Sequence, residues 1–435
     1  MNTLDELRSG KLAGAKRLDL QCGLTELPSE VFDLADSLEV LNLTGNALRD
    51  LPDDLTRLKK LRILFCSSNR FTHLPPVLGH CEALSMVGFK SNQIAEVAAE
   101  ALSPNLRWLI LTDNQIREMP STLGRCAGMQ KLMLAGNRLT ELPEAMADCT
   151  RLELLRLAAN DLPGLPDWLL KMPRLAWLAF AGNPCSPSDQ IPIPKVPDAI
   201  WDDLRVEEKL GEGASGEIYR ATWNGEAVAV KLFKGEVASD GLPRYEMDAS
   251  LAIGTHPHLI PVRARLKGHP EGVAGLVMSL IPPTYTTLAG PPSFETCTRD
   301  VYPAGEVLTP QTTIGLALGI ASATRHLHER GFTHGDLYAH NILRSNAGHC
   351  LLGDLGAASF YRGASAPPPR ALHRIEIRAF GFLLEELISH TSWGEANQDL
   401  RATLAGLQFD CEQPEVKNRP DFREVQDRLQ PLYQP

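Results

Sequence analysis

Seven asparagines, Asn46, Asn69, Asn92, Asn114, Asn137, Asn160 and Asn183, recur every 22 or 23 residues through the first part of this 435-residue chain. A fixed period of that size demands a stack of one repeated unit rather than a single folded core. Each asparagine closes the pattern Leu-x-x-Leu-x-Leu-x-x-Asn or an apolar variant of it. Examples are Leu38, Leu41, Leu43 and Asn46, then Leu106, Leu109, Leu111 and Asn114, then Leu152, Leu155, Leu157 and Asn160. Most copies run on to a Leu-Pro step, as at Leu51-Pro52 and Leu142-Pro143. A shorter copy begins at Leu18 and Leu20 and carries Cys22-Gly23 where the others have asparagine.

One copy cannot bury its own apolar face, so about eight must stack, each giving a short parallel strand with leucines inward. The asparagine would satisfy backbone groups at the bend. The pattern resembles the leucine-rich-repeat family over residues 15–185, with 1–14 as a helical N-terminal cap and Asn183-Pro184-Cys185 as the end of the stack. Strand residues between the inward leucines face the concave side in two columns. One reads Val40, Ile63, Met86, Trp108, Lys131, Leu154, Trp177, and the other Asn42, Phe65, Gly88, Ile110, Met133, Arg156, Ala179. A contiguous apolar patch with tryptophan and methionine marks a protein-binding surface. Trp108, Trp177, Phe65, Ile110 and Met133 are therefore the expected partner-binding residues, for a separate protein or for the second half of the chain. β-Propensity alone would account for Val and Ile in such columns, and less easily for two tryptophans.

Composition narrows the setting. The chain is 43% hydrophobic and 22% charged, as soluble globular proteins are, and its net charge of −10 argues against nucleic acid as a partner. No apolar run reaches the ~18–20 residues of a membrane span. Met1 to Lys11 has no hydrophobic core of a signal peptide. Nine cysteines without a Cys-x-x-Cys pair suggest reduced thiols in a cytoplasmic protein, with Cys66, Cys81, Cys126, Cys149 and Cys185 at buried repeat positions.

Pro184, Pro187, Pro192, Pro194 and Pro197 then predict a semi-extended linker over 186–200. Beyond it, Leu210-Gly-Glu-Gly-Ala-Ser-Gly-Glu-Ile218 holds a Gly-x-Gly-x-x-Gly run at Gly211, Gly213 and Gly216. Alone that spacing is weak. It gains meaning from the turn signal Trp223-Asn224-Gly225 and the strand-like Val228-Ala229-Val230-Lys231 that follow. Farther on stand His334-Gly-Asp-Leu-Tyr-Ala-His-Asn341 and Gly353-Asp354-Leu355-Gly356, then Glu376-Ile-Arg-Ala-Phe-Gly381 and Arg419-Pro420. Over residues 203–430 this succession resembles the protein kinase family. The implied organisation is multidomain: an α/β leucine-rich-repeat solenoid followed by an α+β bilobal protein-kinase-like fold over 201–435.

The resemblance implies ATP and Mg²⁺ as ligands. Leu210, Gly211, Gly213, Gly216, Ile218, Ala229 and Met278 would hold the nucleotide, with Lys231 on its phosphates. Glu246 would be the acidic partner of Lys231, with Asp248 as an alternative because the spacing to Pro257 is one residue longer than usual. Asp336 would orient the acceptor hydroxyl, and Asn341 and Asp354 would hold the metal. A Pro- and Thr-rich stretch from Pro282 to Gln311 is an irregular insertion with no assigned role.

Several positions depart from the family. Gly335 replaces the arginine that normally receives an activation-loop phosphate, and Tyr338 stands where Ser/Thr kinases carry lysine. The segment between Asp354 and Glu376 is short, lacks Ala-Pro-Glu, contains Pro367-Pro368-Pro369, and offers only Ser359, Tyr361 and Ser365 as hydroxyls. The expected activity is a protein kinase, Ser/Thr favoured. The alternatives are a small-molecule phosphotransferase of the same fold, since His-Gly-Asp also occurs there, or an inactive kinase-fold scaffold.

Overall fold

The computed structural model describes residues 2–213, 215–235, 237–238, 240–346, 348–362 and 368–433. Two compact units divide the chain, Met1–Arg174 and Leu175–Pro435.

The first unit opens with a one-turn helix α1 (Leu4–Arg8), fixed by a capping box between Thr3 and Glu6. Seven three-residue parallel strands follow: β1 (Arg17–Asp19), β2 (Val40–Asn42), β3 (Ile63–Phe65), β4 (Met86–Gly88), β5 (Trp108–Ile110), β6 (Lys131–Met133) and β7 (Leu154–Arg156). They pair in chain order, with Val40, Ile63, Met86, Trp108, Lys131 and Leu154 in one register line. The leucines between them are fully buried, among them Leu41, Leu64, Leu109 and Leu155.

The asparagines from Asn46 to Asn160 each link two turns. Asn114 Nδ2 donates to the carbonyls of Phe89 and Leu111 at 3.0 Å, while its Oδ1 accepts the Ile94 N–H at 2.9 Å. Asn137 and Asn160 repeat the arrangement one turn on. A buried amide left without such partners costs about 1–3 kcal/mol, which is why each of these copies keeps its asparagine at the same place after the strand although the repeat length varies between 22 and 23 residues.

The second unit begins before the expected end of the repeats. Its first strand, β8 (Trp177–Ala179), carries repeat spacing but belongs to this unit. The Pro-rich segment is not a free linker. Residues Asp198–Ile200 form β9, parallel to β13 (Val262–Lys267), and Ala199 is fully buried in the sheet core. Ile193 and Val196 pack on Phe233, Leu251 and Leu276. Prolines force extended backbone, and apolar residues between them give that backbone a face to bury, a combination suited to an edge strand.

The antiparallel strands β10 (Leu204–Glu212), β11 (Gly216–Trp223), β12 (Glu226–Phe233) and β14 (Gly275–Ser279) complete this sheet in the order β10-β11-β12-β14-β13-β9. Helix α2 (Pro243–Ile253) lies between β12 and β13 in the chain. The remainder is mainly helical: α3 (Pro310–Arg330), α4 (Pro369–Ser389), α5 (Gln398–Cys411) and α6 (Phe422–Leu429). Two small sheets accompany it. One joins β15 (Tyr285–Thr287), β17 (Ile342–Ser345) and β18 (Cys350–Leu352), and the other β16 (Phe332–Thr333) and β19 (Ser359–Phe360). The stretch expected to be irregular thus supplies β15. Among the described residues no helix is long and apolar enough to cross a membrane.

Eight of the nine cysteines are buried and Cys22 is exposed. Burial pushes the thiols of Cys81 and Cys126 up to about 11 and those of Cys149 and Cys350 up to about 12. Because the thiolate is the reactive form, a thiol reagent at neutral pH should label the native chain at Cys22 alone and all nine cysteines after denaturation. Rapid native labelling of a second cysteine would contradict this packing.

Candidate active site

The hairpin β10–β11 carries the glycine run at its tip. Gly213 N–H donates to the Gly216 carbonyl at 2.9 Å, which closes the turn. A Cβ on Gly216 would lie 2.3 Å from the Leu232 carbonyl oxygen, so only glycine lets this hairpin lie on β12. Lys209 pairs with Glu212 at 2.6 Å and Glu217 at 2.7 Å, but these contacts are solvent-screened and add little stability.

On β12, Lys231 stands in register with Ile218 of β11, and Ala229 with Met278 of β14. Lys231 Nζ forms an ion pair with Glu246 from α2, and both side chains are largely buried. Burial pushes the Glu246 carboxyl up; Lys231 opposes this, and the nearby Asp354 carboxylate adds to it. Burial raises the Asp248 carboxyl, and the charges that oppose this are those of Arg265 and Arg244 rather than Lys231. Of the two alternatives, the structure brings Glu246 to Lys231.

The loop from His334 to Asn341 is held at both ends. His334 Nδ1 accepts the Asp336 N–H at 3.2 Å, which leaves the proton on Nε2, facing the Gly353 carbonyl at 2.9 Å. One imidazole thereby joins the Asp336 loop to the Asp354 loop. Asn341 Nδ2 donates to the Asp336 carbonyl at 2.9 Å and to its carboxylate Oδ2 at 2.8 Å. Gly353 N–H returns to the Asn341 carbonyl at 2.9 Å, so Asp354 follows directly. Asp354 adopts a left-handed φ of 51°, and its Oδ1 accepts the Gly356 N–H at 3.1 Å.

Beneath the loop, Glu376 of α4 is buried. Its Oε1 accepts the Gly335 N–H at 2.7 Å and its Oε2 lies 2.7 Å from His328 Nε2. Burial alone would raise the Glu376 carboxyl, yet His328, His334 and the Gly335 N–H together hold it below the usual carboxylate value.

A cleft of about 540 Å³ is lined by Gly211, Gly213, Gly216, Ile218, Lys231, Glu246, Met278, His340 and Asp354. That size suits a small-molecule ligand. Leu210, which is exposed, and Ala229, which is buried, fall outside the lining. Asp336 and Asn341 adjoin it through the hydrogen bonds just described.

Residues 204–395 match the family model of the protein kinase domain, and residues 104–162 that of the leucine rich repeat. The chain carries leucine-rich repeats and a protein kinase domain. Similar proteins include the serine/threonine-protein kinase mos of Xenopus laevis, 30% identical over 37% of this chain and 44% of that protein. The serine/threonine-protein kinase CTR1 of Arabidopsis thaliana is 25% identical over 54% of this chain and 32% of that protein. The mitogen-activated protein kinase kinase kinase 13-B of Xenopus laevis is 23% identical over 54% of this chain and 25% of that protein. The matched segments span less than half the length of these relatives.

Within the kinase domain, two of the three activation-segment hydroxyls are buried. Ser359 Oγ accepts the Phe180 N–H at 2.8 Å and donates to the Ala357 carbonyl at 3.2 Å. The Tyr361 hydroxyl donates to the His328 carbonyl at 2.7 Å and faces His373 Nε2 at 2.6 Å. Ser365 and Pro367 lie outside the described residues.

Two residues brace the Asp336 loop in a way that their places in the sequence did not indicate. One is Asp300, from the stretch assigned no role, whose carboxylate accepts the His340 N–H at 3.0 Å and faces His340 Nδ1 at 2.7 Å. The other is Trp177. Of the two occupants expected for it, the structure supplies the second half of the chain: Trp177 is 1% exposed and its ring is covered by Tyr338 and Phe382, which closes it to a separate protein. Phe65, Trp108, Ile110 and Met133 lie half-buried on β3, β5 and β6, with Lys131 Nζ 4.5 Å over the Trp108 ring.

Proposed function

We propose that this protein is an ATP-dependent serine/threonine protein kinase whose repeats bind a protein substrate or regulator on their concave face. The observation that carries the reading is the gathering of Lys231, Glu246 and Asp354 around one cleft, with Asp336 and Asn341 tied to it by hydrogen bonds. Lys231, steadied by Glu246, presents a compact positive charge to the phosphates. Asp336 orients the acceptor hydroxyl and takes up its proton, a step that needs position more than an altered pKa.

Asn341 Nδ2 is committed to Asp336, which leaves Oδ1 for a cation, and Asp354 adds a carboxylate. These oxygens suit a hard ion such as Mg²⁺. When bound, that ion would offset the phosphate charge. The printed descriptions of the relatives as serine/threonine-protein kinases support the choice of acceptor. The half-buried aromatic and aliphatic side chains Phe65, Trp108, Ile110 and Met133 on β3, β5 and β6 support protein binding. Buried thiols suit a reducing, cytoplasmic setting.

The test offers radiolabelled ATP and Mg²⁺ with a generic protein, and in parallel with aminoglycosides and sugars. Label on protein serine or threonine, lost in Asp336→Ala, is the expected result. Saturable turnover on the small acceptors alone would reassign the chain to small-molecule phosphotransfer, and equal signal from wild type and variant would end the catalytic reading.

A further inference from the structure

Between its anchored ends, the catalytic loop passes through Leu337 and Tyr338, and the groups that hold this middle stretch come from β8. Trp177 Nε1–H donates to the Leu337 carbonyl at 3.0 Å. Its ring stacks on Tyr338 with centroids 4.1 Å apart and planes 7° from parallel. The ring also meets Phe382 of α4, with centroids 5.4 Å apart. The Tyr338 ring continues to His340 at 5.0 Å, and His340 is pinned to Asp300. A row of rings thus runs from Trp177 into the loop itself, through Tyr338 and His340, between Asp336 and Asn341.

Neighbouring groups of the same segment act on the same region. The Phe180 N–H is bonded to Ser359 of the activation segment. The Leu178 carbonyl approaches Gly335 so closely that a Cβ there would lie 2.9 Å from its oxygen.

The Trp177 hydrogen bond fixes the Leu337–Tyr338 peptide plane, one residue past Asp336, and the stack fixes the Tyr338 side chain. We infer that Trp177 is a positioning residue for phosphoryl transfer, and that the repeat-like segment bearing it is a working part of the kinase domain. The inference rests on the kinase reading above. A tryptophan that only filled space would support stability without a preference for the chemical step. One that sets the plane one residue past Asp336 acts on turnover while sparing nucleotide capture, because Lys231, Glu246 and the glycine hairpin lie elsewhere in the domain.

The experiment uses the full chain as wild type, Trp177→Ala, Trp177→Phe and Asp336→Ala. It measures kcat and KM for ATP in protein phosphorylation, binding of Mg·ADP by calorimetry, and thermal unfolding. In Trp177→Ala, kcat should fall about 10- to 100-fold, the scale expected from misplacing a reacting group by roughly 1 Å, with KM for ATP and ADP affinity essentially unchanged. Trp177→Phe keeps a ring on Tyr338 but loses the N–H, and should recover part of the lost kcat. If Trp177→Ala does not fold, Trp177→Phe decides: lowered kcat at unchanged KM upholds the inference. Unchanged kcat in a folded variant, or parallel loss of kcat and ADP binding, overturns it. A wild type no more active than Asp336→Ala overturns the kinase reading first, and this inference with it.

Discussion

Asp336→Asn should lower the rate of phosphoryl transfer by about 10²–10⁴-fold, the usual contribution of a positioned general base, while nucleotide affinity and melting temperature stay near wild type. The separation follows from the hydrogen bonds. Asn341 Nδ2 bridges both the backbone carbonyl and the carboxylate of Asp336, and the Asp336 N–H is bound to His334. An asparagine at 336 keeps an oxygen for Asn341 and the same backbone bonds, so the loop has no reason to move. What it loses is a carboxylate able to hold the acceptor hydroxyl and receive its proton. Single-turnover transfer with saturating ATP, read beside Mg·ADP binding, isolates that loss. Transfer at the wild-type rate would remove Asp336 from the reaction.

The second large effect runs against family intuition. Restoring the arginine that kinases usually carry before the catalytic aspartate, Gly335→Arg, should destabilise the kinase domain by about 2–6 kcal/mol. That sum combines left-handed backbone strain with overpacking. Gly335 has φ +74°, and a Cβ there would lie 2.5 Å from the Ala357 carbonyl oxygen as well as close to that of Leu178. Neither neighbour is a side chain that can rotate away. Gly335 N–H is also the donor to buried Glu376, so any relief that shifts the backbone weakens that bond too. Gly335→Ala should show most of the same loss, since the offending atom is the Cβ. Chemical denaturation monitored in the kinase domain measures both, and a shift within about 0.5 kcal/mol, as for an ordinary surface substitution, would rule out the close approach.

Much of the site could be read in the sequence because its parts are short motifs with fixed internal spacing. The glycine run, Val-Ala-Val-Lys, the His-Gly-Asp loop and Gly-Asp-Leu-Gly each describe one turn or strand, and local chemistry limits what such turns can do. The choice between Glu246 and Asp248 was harder, since both lie on α2 two residues apart. It is settled in space by which helix face meets Lys231. Asp300 left no trace in a Pro- and Thr-rich stretch, because an isolated aspartate looks the same whether it meets solvent or a loop 40 residues away. The prolines at 184–197 suggested a tether; the alternation of Ile193, Val196 and Ala199 with them, which allows a buried edge strand, was the signal that could have corrected it.

By itself the sequence determined the repeated unit, its period, the asparagine ladder, and the order of the kinase motifs. Each of these depends on neighbours along the chain or one turn away, so spacing encodes it. Tertiary structure alone decided that Trp177 stacks beneath the catalytic loop, that Gly335 must lack a Cβ, and that Glu376 and Asp300 brace the same loop. Those pairings join residues 40 to 160 positions apart, and no one-dimensional pattern records which distant side chain will fill a given space once the chain has closed.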